Sequence, residues 1–257
     1  MNDELRALLR DRVGVTDLAV IPNRYAAEGF RFSCAGSEAV DRWRSLRAIA
    51  GESGFWPVIL GDHKEVERIL GAADSEYGQP LDTILKDAFS RSAEQWLTER
   101  EKLQREEIVG DPDAFLASLH QEWPAQTERL TQFTIPYDGL KSKRAKDKIT
   151  LGLFPTMNPW ELPAYLNFGG WNECPEPSAH VRLMKRWYDE YGAELVGMTG
   201  DEVEIYATRP PIARQDALRL AEQQFLYCGD IVTQGTQTIE SLAAALFGTN
   251  FWYFWWD

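Results

Sequence analysis

The chain has 257 residues, 44% of them hydrophobic and 12% aromatic, with ten tryptophans. That is enough to bury a core without a metal or disulfides, in one large domain or two small ones. The formal charge of −13 argues against general binding to nucleic acid or to an anionic membrane, both of which attract basic chains.

Three cysteines, Cys34, Cys174 and Cys228, are too few and too odd a set for a secreted disulfide scaffold. Met1-Asn2-Asp3-Glu4-Leu5 lacks a basic stretch followed by an apolar one, so no secretion leader is expected. No apolar run approaches the roughly 20 residues of a membrane span. The expectation is a protein of a reducing cytoplasm.

In chain order, Asp3 to Arg12 reads as a helix with Leu5, Leu8 and Leu9 on one side. Ser37 is a candidate N-cap for a helix whose stripe is Val40, Trp43, Leu46, Ile49 and Ala50. Gly51 and Gly54 end it. Phe55 to Leu60 reads as a buried strand, and Pro57 places it at a sheet edge or a bulge. Pro80 opens a long helical pattern, with Leu81, Ile84, Leu85, Ala88, Phe89, Ala93, Trp96, Leu97 and Leu103 in phase. Asp111-Pro112 starts a further helix to Leu119, with His120 at its end.

Lys141 to Lys148 holds five basic residues among eight. A phosphate grip and a solvated loop both fit such a run, and the loop is the better reading. Ile149 to Phe154 is then a strand. Ser178 is a candidate cap for a helix to Tyr191 that Gly192 terminates. Ala193 to Met198 and Glu202 to Ala207 form a hairpin about Thr199-Gly200-Asp201. Helices follow over Arg214 to Tyr227 and Thr238 to Phe247.

The sequence closes on Phe251-Trp252-Tyr253-Phe254-Trp255-Trp256-Asp257. Successive side chains of a strand point to opposite faces, so this one has no wet face. It is expected to be central in the sheet and covered on both sides, although an aromatic binding platform also fits the residues. The whole is expected to be α+β, with a mixed or antiparallel sheet and packed helices. Residues 1–140 form one α+β region with a long helical segment at about 80–120; residues 148–257 form a second.

No Gly-rich phosphate loop, G-x-S-x-G or H-E-x-x-H is present. Without Cys-x-x-Cys or other paired ligands, no structural zinc and no other cofactor is expected. His180 shares a helical stripe with Met184, Trp187 and Tyr191 and reads as a buried, hydrogen-bonded histidine. It can serve Cys174 as a base only if the Pro175-Glu176-Pro177 turn folds back. Arg209 follows a strand, and Asp230 follows a helix end. They are either an ion pair fixing two loops or two walls of a cleft.

Several of these segments carry a resemblance. Pro163-Ala164-Tyr165, Phe168-Gly169-Gly170-Trp171-Asn172 with Cys174-Pro175, and Tyr191 to Val196 resemble a bacterial domain family of unknown function, domain of unknown function 4253. Arg209-Pro210-Pro211, Tyr227-Cys228-x-Asp230-Ile231-Val232-x-Gln234-Gly235 and Trp252 to Asp257 continue it in order. The resemblance covers about Lys148 to Asp257 and is looser around Gly54 to Val58. It implies a bacterial, cytoplasmic protein and brings no activity, cofactor or catalytic residue.

Two functions are therefore carried forward. The first is a non-catalytic protein-interaction module, immunity-like or regulatory, whose acidity suits a basic protein partner. The second is an enzyme or small-ligand binder. Its cleft takes in Trp171, Asn172, Cys174, His180, Arg209, Asp230 and Gln234, with Arg209 on an anion and Asp230 or His180 as acid or base. Nucleic-acid binding through Lys141 to Lys148 ranks behind both.

Overall fold

The structure is a computed structural model that describes residues 3–139 and 142–257. Lys141, where the basic run begins, and the first two residues lie outside the described residues. Helix α1 (Asp3–Val13) is followed by β1 (Ala19–Ile21), β2 (Gly29–Cys34), α2 (Gly36–Ala48), the single turn α3 (Ala50–Ser53) and β3 (Trp56–Gly61). Next come α4 (His63–Ala73), α5 (Leu81–Ala88), α6 (Ala93–Glu107), α7 (Pro112–Ser118) and β4 (Ile149–Phe154). A 3-10 turn (Pro159–Glu161) leads to α8 (Leu162–Tyr165), α9 (Pro177–Tyr191), the hairpin β5 (Ala193–Met198) and β6 (Glu202–Ala207), and α10 (Arg214–Tyr227). A π-helical turn (Ile231–Thr236), α11 (Ile239–Leu246) and β7 (Phe251–Trp255) follow.

The fold is α+β around one mixed sheet of seven strands, ordered β1-β2-β4-β3-β5-β6-β7. Every pair is antiparallel except β3 and β5. Strand β4 comes from beyond the basic run yet lies between β2 and β3, so the sheet takes strands from both stretches of chain. One face packs Trp56, Val58, Leu60, Val203, Ile205, Trp252 and Phe254 under α4, α6, α8, α9, α10 and α11. The other packs Phe30, Phe32, Ile59, Leu151 and Val196 against α1, α2 and Phe133–Ile135.

Strand β7 is in the sheet, but at its edge beside β6 rather than at its centre. Its two faces explain the difference. Trp252, Phe254 and Trp256 are 2, 0 and 2% exposed beneath the helices. On the other face Phe251, Tyr253 and Trp255 are half-buried; Phe251 is roofed by Phe133 at 4.9 Å between ring centroids. Six rings in a row thus need cover on both sides, and loops supply part of it at an edge.

Pro57 has the converse history. It sits in β3, between β4 and β5, because β5 pairs with β3 only around Ile59↔Gly197. The missing N–H of Pro57 therefore leaves no ladder bond unmade on that side, and its carbonyl accepts from the Trp43 indole at 3.1 Å. The bulge lies further on, between Ile59 and Gly61.

The long helical pattern from Pro80 is two helices. Ser92 caps α6 through the Gln95 N–H, and the Gln95 side chain accepts from the Ser92 N–H. This reciprocal box starts a new helix in the middle of a continuous apolar phase. Ala35, not Ser37, precedes α2, and Glu176 precedes α9 with Pro177 at its first turn. Of the basic run, Arg144 pairs with Asp138 and Lys146 with Asp62, which pins the loop to the start of α4.

Candidate functional site

The carboxyl end of β7 gathers most of the residues singled out from sequence. Phe168 is the hub. Its ring lies 5.0 Å from Trp171, 5.0 Å from His180 and 6.0 Å from Trp256. Gly169 has φ +107°, and a Cβ there would collide with the Pro175 carbonyl and the His180 ring. Only glycine lets this loop close over His180.

His180 is fully buried. Its Nδ1 lies 2.7 Å from the Tyr227 hydroxyl and its Nε2 3.5 Å from Cys174 Sγ. The Pro175-Pro177 turn does fold back and bring thiol to imidazole. Burial, however, depresses the His180 pKa to about 3 and pushes the Cys174 thiol and the Tyr227 phenol far up. All three are neutral at neutral pH. A nucleophilic cysteine needs the thiolate, so this chain of bonds locks the 170s loop to α9 and α10.

Next to it runs a polar chain. The Asn172 amide donates to the Asp257 carbonyl at 2.9 Å. The Asp257 N–H donates to Asp230 at 3.1 Å, and the Gln234 amide donates to the same carboxylate at 2.9 Å. Cys228, pushed up to about 12 chiefly by burial, donates to the Trp255 carbonyl at 3.0 Å. Asp230 thus fastens the end of the aromatic strand. Arg209 lies elsewhere: it donates to the carbonyls of Tyr188 and Asp189, at 3.2 and 2.9 Å, in the last turn of α9. The structure brings together Trp171, Asn172, Cys174, His180, Asp230 and Gln234, and joins Arg209 to a helix end instead.

What the sequence reading missed is the edge itself. Ala207 N–H donates to the Asn250 carbonyl, and Trp256 N–H to the Asp201 carbonyl. With the register Glu204↔Tyr253, even-numbered residues of β7 face β6 and odd-numbered ones turn their backbone groups outward. Trp255 spends its outward carbonyl on Cys228. Phe251 and Tyr253 make no outward hydrogen bond among the described residues.

That edge opens into a groove of about 540 Å³ whose walls include Arg129, Gln132, Gln224, Thr236, Leu242 and Trp255. The π-helical turn shapes one wall. Gly235 there passes so close to Trp255 that a Cβ would lie 3.3 Å from the indole. Gln224 and Trp252, 1 and 2% exposed, both line the groove, and each has a side-chain N–H with no partner. Buried donors are rarely left so.

On the half-open face, Glu204 is 1% exposed and accepts from the Thr134 N–H, from the Thr134 hydroxyl at 2.7 Å and from the Ile135 N–H at 3.4 Å. Burial raises its pKa to about 7 despite these donors. The Tyr253 hydroxyl donates to Glu202 at 2.6 Å. Among the described residues no group of three or more His, Cys, Asp or Glu is arranged to hold a metal ion, and no helix is long and apolar enough to cross a membrane.

Residues 150–257 match the model of a protein family, Domain of unknown function (DUF4253). The match starts within β4 and takes in the Phe168 loop, the buried His180 chain, the π-turn and β7. No curated protein and no solved structure matches the chain.

Proposed function

We propose that this protein is a non-catalytic interaction module, immunity-like or regulatory, that binds a basic partner protein by adding one of the partner's strands to the outer edge of β7. The observation that carries the reading is the unpaired backbone of Phe251 and Tyr253 opening into an aromatic groove. A free edge of this kind is a template for an extended segment, with main-chain bonds giving affinity and flanking pockets giving specificity. The orphan N–H groups of Gln224 and Trp252 in the groove wall suit carbonyl oxygens of such a segment.

The charge supports a basic partner. Glu173, Asp230 and Asp257 cluster at the carboxyl end of β7, and none has an ion-pair partner among the described residues. With a chain charge of −13, the field favours encounter with a cation at low salt.

Proline scanning of the edge tests the proposal. Tyr253→Ala keeps the outward N–H, Tyr253→Pro removes it, and β6 uses neither. A host protein captured at low salt by the wild type should be held by the alanine variant. The proline variant should lose it by about tenfold or more, with matching circular-dichroism melts for the two variants. Equal binding by both removes strand addition. Self-association seen by light scattering, abolished by the proline, would make a second copy the occupant.

A further inference from the structure

A second cavity lies at the opposite edge of the sheet. It measures about 1050 Å³ and is walled by α1, the Gly14–Ala19 loop, β2, the start of β4 and the first turns of α2 and α4. β1 is short and pairs only with Gly29, Phe30 and Arg31, so Phe32, Ser33 and Cys34 have β4 on one side and no strand on the other, where they line the opening.

Its charge is opposite to that of the protein. Arg6, Arg31, Arg42 and Lys148 line it against the carboxylates of Asp17 and Glu38, in a chain of net charge −13. Arg42 is engaged, donating to the Val13 carbonyl and to Glu38. Arg6, Arg31 and Lys148 have no ion-pair partner among the described residues. With Arg42 paired to Glu38, three cations face the single carboxylate of Asp17, an excess of positive charge that a bound anion would offset. Ser33 and Thr150, whose hydroxyls lie 3.3 Å apart, add neutral donors to the same wall.

We infer that this cleft is a binding site for a small molecule carrying a di- or triphosphate group. A guanidinium matches phosphate oxygens with two parallel bonds, and a lysine adds a point charge. The volume leaves room for a further group beyond the phosphates, at the upper end of small-ligand sites. A long polyanion is disfavoured, because the chain's net charge of −13 repels its continuation beyond the cleft. Cys34, the one thiol in the lining, is pushed up to about 11 by burial and by Glu38, so it lines the cleft as a neutral group.

The test is calorimetric titration of the full chain with pyrophosphate and with adenosine triphosphate, without divalent metal, at low and high salt. Saturable binding is expected, weakening as salt rises. The combined Arg31→Gln and Lys148→Gln variant should lose about tenfold or more in affinity while its unliganded melting temperature holds. Absence of saturation by about 10 mM, or full affinity in the double variant, overturns the proposal. So does citrate binding as well as pyrophosphate, which would remove the phosphate preference. An oligonucleotide binding more tightly than either phosphate probe would show a polyanion surface in place of a small-molecule site.

Discussion

The two edges of the sheet solve the same problem in opposite ways. At one end β1 is three residues long, and only Ile21 of it is buried. At the other end β7 runs five residues and drives Trp252 and Phe254 into the core. Both edges have an open cavity beside them, basic and polar at β1 and β2, aromatic with orphan donors at β7. An edge strand is therefore held by the side chains it buries more than by its single hydrogen-bonded ladder. Function is read from what remains exposed beside it.

The largest effect should come from removing the buried edge. Deleting Phe251 to Asp257 strips Trp252, Phe254 and Trp256 from contact with Trp187, Tyr191, Tyr227 and Phe168. Truncating one buried aromatic costs about 3–5 kcal/mol, so losing three exceeds a typical stability of about 5–15 kcal/mol or leaves little of it. The truncated chain should be insoluble or lack a cooperative melt. If it melts cooperatively and stays in solution, the contrast between the two edges fails at its stronger end.

How much of this was legible follows from what each residue reports. The hairpin of β5 and β6, the caps at Asp111 and Gly192, and the buried His180 stripe are local signals, and the structure keeps them. The break before α6 is written in Ser92 and Gln95 but is masked by an apolar phase that runs through it. Strand order is not local: nothing in Phe251 to Trp256 says whether one neighbour or two will pair, since loops such as Phe133 to Ile135 can supply a second layer. The family resemblance of the C-terminal stretch was legible from its motifs, and the family model covers residues 150–257. Of the predicted cleft, the residues around β7 converge because they are tied to one strand end. Arg209 does not, because a cation just past a strand was equally suited to capping the adjacent helix.

The second effect belongs to the carboxylate beneath β7. The Glu204 pKa is about 7 in the folded protein, against about 4.3 in an unfolded chain. Folding therefore takes up a proton between those values, and stability falls as pH rises through that window. It is fully present below the unfolded pKa and lost as pH passes the folded one. The shift corresponds to roughly 4 kcal/mol in order of magnitude. Melting temperature should drop between pH 5 and pH 8, and Glu204→Gln, which mimics the protonated acid, should flatten that slope. A slope unchanged in the variant would assign the pH dependence to other groups. Cys34 in the cleft at the β1 edge, pushed up to about 11 by burial, does not titrate in that window.

The smallest effect is expected at β1, and it is the sharpest check on the comparison. Val20 is 47% exposed and sits opposite Phe30 on a strand with one neighbour. Val20→Lys gives up β-branched propensity and a little apolar area, and a lysine on an edge is well tolerated in natural sheets. The cost should be under about 0.5 kcal/mol, within the usual range for surface substitutions, as a small shift of the urea midpoint with an unchanged slope. The added charge lies next to Ala19, which lines the basic cleft, so the same variant should bind pyrophosphate no less tightly than the wild type. A loss of more than about 1 kcal/mol would mean that the half-exposed Val20 side chain holds β1, since the substitution leaves the backbone ladder in place. The contrast between a weakly anchored β1 and a β7 anchored by its rings would then fail at its weaker end.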